Sequence, residues 1–480
     1  MLMKKLSLLL TFGLSLLSML AQATPSDPTE PAGYKITIKI NGMTDELAYL
    51  GYHLADKKYV EDTAEVVNGT VTFAGDRTLT PGIYFLYTPS NIFMELVVSD
   101  QHFSIEAQKD NLLYTKKIKN SKDNELFNTF QVGMADFQKR SAELRDQLKT
   151  CANGADSAKV QLSLKEINQN NVDFQQKLIK DNPNSFTAQV LRIMARPTTI
   201  IAPEGMSDAD AKSFKFYEYR RQFWDGVDFS NEGILRTPVF EPKLLEFMDN
   251  LVFQHPDSIN QAIDKLLEQT RGNDATFRYI LVTMTNKYQS SQIMGMDAVF
   301  VHLAEKYYLS GKADWADDEM LSKFREAVAD IKPNIIGKVA PPLRLVDTTT
   351  TNAVNLETVA KEYTILFFYD PDCSHCKKET PKMLAVYHKL KKDLSVECMG
   401  VCIGKDVDAW KKFVKDYECD WVNAADPFLR SNFRREYNIR STPTIYVLDK
   451  DRKILGKRLG VEQVDSFIRD HKKLTQKAGM

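Results

Sequence analysis

FFYDPDCSHCKKETPKM, residues 367–383, places Cys373 and Cys376 three positions apart. The run Thr364–Tyr369 just before it, TILFFY, is continuously apolar. Such a run fits a short strand buried on both faces of a sheet. The pattern after Cys373 is helical, so Cys373 falls at a helix start. Unpaired backbone N–H groups and the positive end of the helix dipole stabilise a thiolate there. Cys373 is therefore the expected nucleophile, and Cys376, one turn further in, the shielded resolving thiol. Pro381 follows Cys376 by five residues and is expected to kink the helix. His375 lies between the two cysteines. A partly protonated imidazole beside Cys373 stabilises the thiolate and shifts the couple toward oxidising power; the plainer reading is an exposed histidine with little effect.

Working outward, KPNIIGKVAPPLRL (332–345) carries Pro333, Gly337, Pro341 and Pro342, a domain boundary. Strand and helix patterns alternate after it: LRLVD, TILFFY, the helix from Cys373, SVECMGVCI, a helix through Trp410, PTIYVLD, KILGKRLG and a last helix after Val461. This order implies an α/β domain over 336–480.

The texture upstream differs. YKITIKI alternates apolar Tyr34, Ile36, Ile38 and Ile40 with Lys35, Thr37 and Lys39, a half-buried strand. Asn68-Gly69 divides two β-rich runs, a hairpin signal because both central positions need positive φ. Residues 30–115 are read as a small all-β sandwich domain. From Asn124, apolar Phe127, Phe130, Met134, Phe137, Leu144 and Leu148 recur at helical spacing. Helical patterns continue, giving an all-α domain over 120–332. Its aromatic stretch FKFYEYRRQFW is read as core rather than as a binding surface.

CSHCKKETPKM, STPTIYVLD and the βα order together resemble the thioredoxin-like fold, in the TlpA/ResA branch of exported thiol–disulfide oxidoreductases. The resemblance covers about 336–480. It implies that Thr442-Pro443 is the threonine–cis-proline pair facing the dithiol, whose backbone holds an extended substrate strand. It also implies that Glu379, three residues after the second cysteine, exchanges a proton with Cys376. The chain departs from the family at two places. Asp372 stands where many relatives have Trp, and its charge opposes thiolate formation. Phe367 stands where thioredoxin has a buried Asp. The whole layout resembles multidomain envelope redoxin proteins.

Other chemistries fit less well. Cys373, Cys376, Cys398 and Cys402 are spaced roughly as in a zinc ribbon, but Cys398 and Cys402 lie in an apolar strand without turn residues. Four apart on a strand they stand about 13 Å from each other, beyond disulfide reach. They are simplest as small buried hydrophobes, and free buried thiols are the default for Cys419 and Cys151. No metal site is expected. A peroxidase of the same fold has Pro-x3-Thr-x2-Cys; here Asp370 stands at the Thr place before Cys373, so the pattern fails. A purely structural Cys373–Cys376 bridge closes too small a loop to stabilise much.

The 480 residues hold 43% apolar and 26% charged side chains with a net charge of −1, which gives no sign of nucleic-acid binding. Lys4-Lys5, the apolar Leu6–Leu20 and Ala21-Gln22-Ala23 read as a signal peptide over 1–23. It holds two lysines and no acids, so its removal takes the charge from −1 to −3. No later run reaches transmembrane length.

The expectation is an exported protein of the periplasm or cell envelope, exchanging disulfides with protein clients and with a reducing or oxidising membrane partner. No organic cofactor is needed, because electrons pass through the sulfurs. The alternative is an envelope adaptor whose N-terminal domains recruit a partner, with the redox domain accessory.

Overall fold

The computed structural model describes residues 33–151, 153–198 and 200–478. The signal-peptide reading of 1–23 lies outside them. The chain divides into two compact units. The first ends at Leu178; the second runs from Ile179 and takes in His53–Lys57 as well.

The first unit opens with β1 (Tyr34–Asn41), β2 (Leu47–Leu54), β3 (Lys57–Val67), β4 (Thr70–Gly75), β5 (Gly82–Tyr87), β6 (Phe93–Val98), β7 (His102–Gln108) and β8 (Lys117–Lys119). The all-β expectation holds. The strands follow one hydrogen-bonded order, β6-β5-β2-β3-β4-β1-β7-β8, and their inward residues share one core. Ile36, Ile38 and Ile40 are fully buried while Lys35 and Lys39 are exposed, as the alternation predicts. Asn68 and Gly69 take φ of 52° and 71° and join Val67 to Thr70 in a tight hairpin.

Two long helices follow, α1 (Lys122–Thr150) and α2 (Gly154–Asp181). Ser121 caps α1 by accepting from the Asn124 N–H. Only the start of the expected apolar stripe is deeply buried, at Phe127 and Phe130. Farther along, Phe137 meets Phe174 of α2 with ring centres 5.8 Å apart.

In the second unit α3 (Phe186–Met194), α4 (Asp208–Gln222), α5 (Phe240–Glu246), α6 (Pro256–Gln269), α7 (Asp274–Gln289), α8 (Asp297–Leu303) and α9 (Asp318–Ile331) build the helical region. Ser185, Ser207, Asn273 and Asp317 each cap a helix start through the side chain. The aromatic stretch expected in the core is divided. Phe223 is buried, but Phe216 and Tyr217 are exposed. The reason lies in α4, which is largely polar and buries none of its residues.

Residues 344–478 form the α/β domain: β9 (Arg344–Val346), β10 (Ala353–Asn355), α10 (Leu356–Val359), β11 (Tyr363–Tyr369), α11 (Ser374–Asp393), β12 (Val396–Cys402), α12 (Val407–Asp416), β13 (Val422–Ala425), α13 (Phe433–Glu436), β14 (Thr444–Asp449), β15 (Ile454–Lys457) and α14 (Val461–Ala478). The sheet order is β10-β9-β13-β12-β11-β14-β15. β11 pairs parallel with β12 and antiparallel with β14. All seven residues of β11 are buried. Ile365, Phe367 and Tyr369 point into a core shared with α11, α12 and α14; Leu366 and Phe368 point into the opposite one. Full burial of each such side chain is worth about 1.5–3 kcal/mol. The strand is thus fixed from both sides, and its carboxyl end presents the chain that turns into α11.

Candidate active site

Tyr369 ends β11, and Asp370-Pro371-Asp372 makes the turn. The Asp370 carboxylate accepts from the Asp372 N–H at 2.9 Å, and its carbonyl accepts from the Cys373 N–H at 3.1 Å. This Asx-type turn delivers Cys373 to the N-cap of α11. There the Cys373 Sγ accepts from the Cys376 N–H at 3.4 Å. A sulfur occupies the place usually filled by a serine or aspartate oxygen. Across from it, the Thr442 carbonyl accepts from the Cys373 thiol at 3.4 Å. The Thr442–Pro443 peptide is cis. The structure therefore brings Cys373, Cys376, Thr442 and Pro443 together.

The two sulfurs differ in environment. Cys373 is partly exposed and Cys376 is fully buried; both are free thiols. Burial alone pushes Cys373 up. Hydrogen bonds from the backbone and side chain of Cys376, the Thr442 side chain and the His375 backbone outweigh it, and the thiol lies below the ordinary value of 9. Burial pushes Cys376 up to about 11, aided by the neighbouring Cys373 and only partly offset by the Asp370 backbone and the Thr442 side chain.

The other expected residues hold different stations. His375 is exposed, and its main chain is what reaches the Cys373 sulfur. Glu379 is 9% exposed, one turn beyond Cys376, and its carboxylate accepts from Lys382 at 2.7 Å. Phe367 is fully buried, its ring centre 5.4 Å from that of Trp421. Cys398 and Cys402 sit in β12, fully buried. Burial holds Cys398 well above the usual thiol range and pushes Cys402 and Cys419 up to about 12. Cys151 differs from its expectation: it caps the end of α1, only half-buried. Among the described residues no group of three or more His, Cys, Asp or Glu is arranged to hold a metal ion.

Asp370 escaped the reading of the sequence as a site residue. The Asp-Pro dipeptide after a buried strand was the available signal, because it marks a turn.

A family model described as the AhpC/TSA family matches residues 336–456. The chain is 29% identical over 143 residues to the thiol-disulfide oxidoreductase ResA of Bacillus cereus, a match covering 29% of this chain and 80% of that protein. It is 35% identical to a solved domain of a possible thiol-disulfide isomerase from Cytophaga hutchinsonii, covering 30% of this chain and 97% of that one, with a TM-score of 0.28. The C-terminal domain is a TlpA/ResA-like redoxin, and its relatives mark it as a thiol–disulfide oxidoreductase.

This redoxin domain is also 26% identical to the thioredoxin domain of a thiol-disulfide oxidoreductase from Bacteroides vulgatus, covering 28% of this chain and 96% of that one, with a TM-score of 0.27. Two further models, described as domains of unknown function (DUF4369 and DUF5106), match residues 34–127 and 203–334 upstream of the redoxin domain. No described helix is long and apolar enough to cross a membrane.

Proposed function

We propose that this redoxin exchanges disulfides with protein clients of the cell envelope through the Cys373–Cys376 dithiol, after export directed by residues 1–23. In the reducing direction the Cys373 thiolate attacks one sulfur of a client disulfide. A Cys373–client bond forms and the other client sulfur leaves as thiolate. Cys376 then loses its proton and attacks Cys373 Sγ. The client's second thiolate leaves, and a Cys373–Cys376 disulfide remains. Two electrons have passed to the client, and a reducing membrane partner supplies two more to restore the Cys373–Cys376 dithiol; with an oxidising partner the disulfide form runs the same steps in reverse.

The observation that carries this reading is the asymmetry of the sulfurs: Cys373 is capped by an N–H, partly exposed and acid-shifted, while Cys376 is buried and raised to about 11. Thr442 and Pro443 are the ledge on which a client strand lies. Glu379 is the group that takes the Cys376 proton, poised by Lys382. The part of His375 is carried by its main-chain N–H. Residues 30–115 and 120–332 are proposed as two upstream domains. The test is Cys376→Ala: it is expected to accumulate client proteins on Cys373 as adducts released by dithiothreitol, whereas Cys373→Ala accumulates none. Equal, empty profiles for the two variants would remove the reading.

A further inference from the structure

The segment that ends in Thr442-Pro443 is held from outside its own domain. α9 of the helical region ends beside α13, and Asp330 near its end takes two arginines at once. Its Oδ1 accepts from Arg435 Nε at 2.6 Å and its Oδ2 from Arg440 Nη2 at 3.0 Å. Arg435 lies in α13; Arg440 is two residues before Thr442. Arg440 Nε also donates to Asn438 Oδ1 at 2.7 Å, which fixes the turn between the two arginines.

The base on which Asp330 stands is rigid. Asn334, fully buried, donates through Nδ2 to the Asp330 carbonyl at 2.7 Å and to the Glu436 carbonyl at 3.0 Å. Lys457, at the end of β15 and only 3% exposed, donates to Asp297 Oδ2 at 2.5 Å and to the carbonyl and side-chain oxygens of Asn334 at 2.9 Å each. A buried ammonium with three oxygen partners is costly to disturb, because breaking the set strands a charge. The main chain at Asp330 is thus tied to the redoxin sheet through Asn334 and Lys457, and its carboxylate reaches Arg440 from that base.

We propose that Asp330 is a positioning residue for the client ledge: through Arg440 it sets where the Ser441–Pro443 backbone lies relative to Cys373. This rests on the functional reading above. The side chains of Arg435 and Arg440 are 51% and 70% exposed. Asp330 itself is 23% exposed, but both arginines stay in water when it is lost, and pairs with an exposed partner are worth only about 0.2–1 kcal/mol, so the Asp330 variants are expected to fold. What changes is the placement of the ledge, and placement acts on client binding.

The test uses the full chain, an oxidised two-cysteine peptide as substrate and dithiothreitol to re-reduce the Cys373–Cys376 disulfide, with the direct reduction of the peptide by dithiothreitol subtracted. Asp330→Asn is expected to raise KM by about 2- to 5-fold, the fold-change that corresponds to the upper part of that range, with kcat and the melting midpoint unchanged. Asp330→Glu is expected to recover most of the loss. Adding Arg440→Gln to Asp330→Asn is expected to add nothing, because the two act as one. An unchanged KM in Asp330→Asn, in a parent that reduces the peptide, overturns the proposal. So does a KM rise that Arg440→Gln deepens by its full separate effect. A parent chain inert toward both the peptide and a small aromatic disulfide removes the functional reading, and the proposal with it.

Discussion

A sulfur atom at a helix N-cap faces two opposing demands. Being partly out of water penalises its charge, and N–H groups aimed at it favour that charge. At Cys373 the N–H groups win, and at Cys376, without a helix end and fully buried, they do not. The pH dependence follows. Attack needs the thiolate, so exchange speeds up as pH rises through the Cys373 value. Because that value is lowered, the rate with a small aromatic disulfide is expected to reach its plateau at a lower pH than for a free cysteine peptide measured alongside. Stopped-flow rates across pH 5–10 check this; coincident pH profiles for the two would mean an ordinary thiol. This much was legible in the spacing of Cys373, Cys376 and the preceding apolar run. The route by which His375 acts was not. A sequence names an imidazole between two cysteines, but the structure shows the side chain exposed and the main chain as the part that favours the Cys373 thiolate.

At the scale of elements, the site depends on where β11 ends. Tyr369, its last residue, is fully buried, and Trp410 Nε1 of α12 donates to its hydroxyl at 3.0 Å. The ring stacks on Phe413, with centres 4.8 Å apart. This pins the strand's end to α12 just before the chain turns toward Cys373. Tyr369→Phe keeps the ring and leaves the Trp410 N–H without its acceptor in a dry core. A loss of about 1–3 kcal/mol is expected in urea unfolding; no loss would mean that a water or another acceptor serves Trp410. The long apolar strands of this sheet were legible because both faces are buried and the residues follow without a break. β13 was not, since Val422–Ala425 holds four residues with a polar Asn423 among them. Nor was β10, whose three residues carry a strand only because β9 lies alongside. Short strands are made by neighbours rather than by their own composition.

At the scale of the whole molecule, each of the two units closes over its own core, and within the second unit a helical region and a redoxin sheet share a buried polar junction. Sequence periodicity reports which faces are apolar. It carries no sign that Lys457 meets Asp297, 160 residues earlier. That is why the three classes of region could be read in order while the junction, and Asp330 with it, could not. The AhpC/TSA match lies on the redoxin domain, and the junction that carries Asp330 is the proposed means by which the helical region bears on it.

In the proposed mechanism Cys373 and Cys376 form one working two-electron couple while the other thiols of the redoxin domain stand aside. The most direct measurement equilibrates the full chain with graded glutathione ratios, quenches with acid, alkylates and reads each cysteine by mass spectrometry. One reversible transition is expected, in which Cys373 and Cys376 lose their alkylation together, with Cys398, Cys402 and Cys419 remaining reduced throughout. A Cys373–Cys376 pair that never forms a disulfide at any ratio, or one that pairs instead with the cysteines of β12, would contradict it.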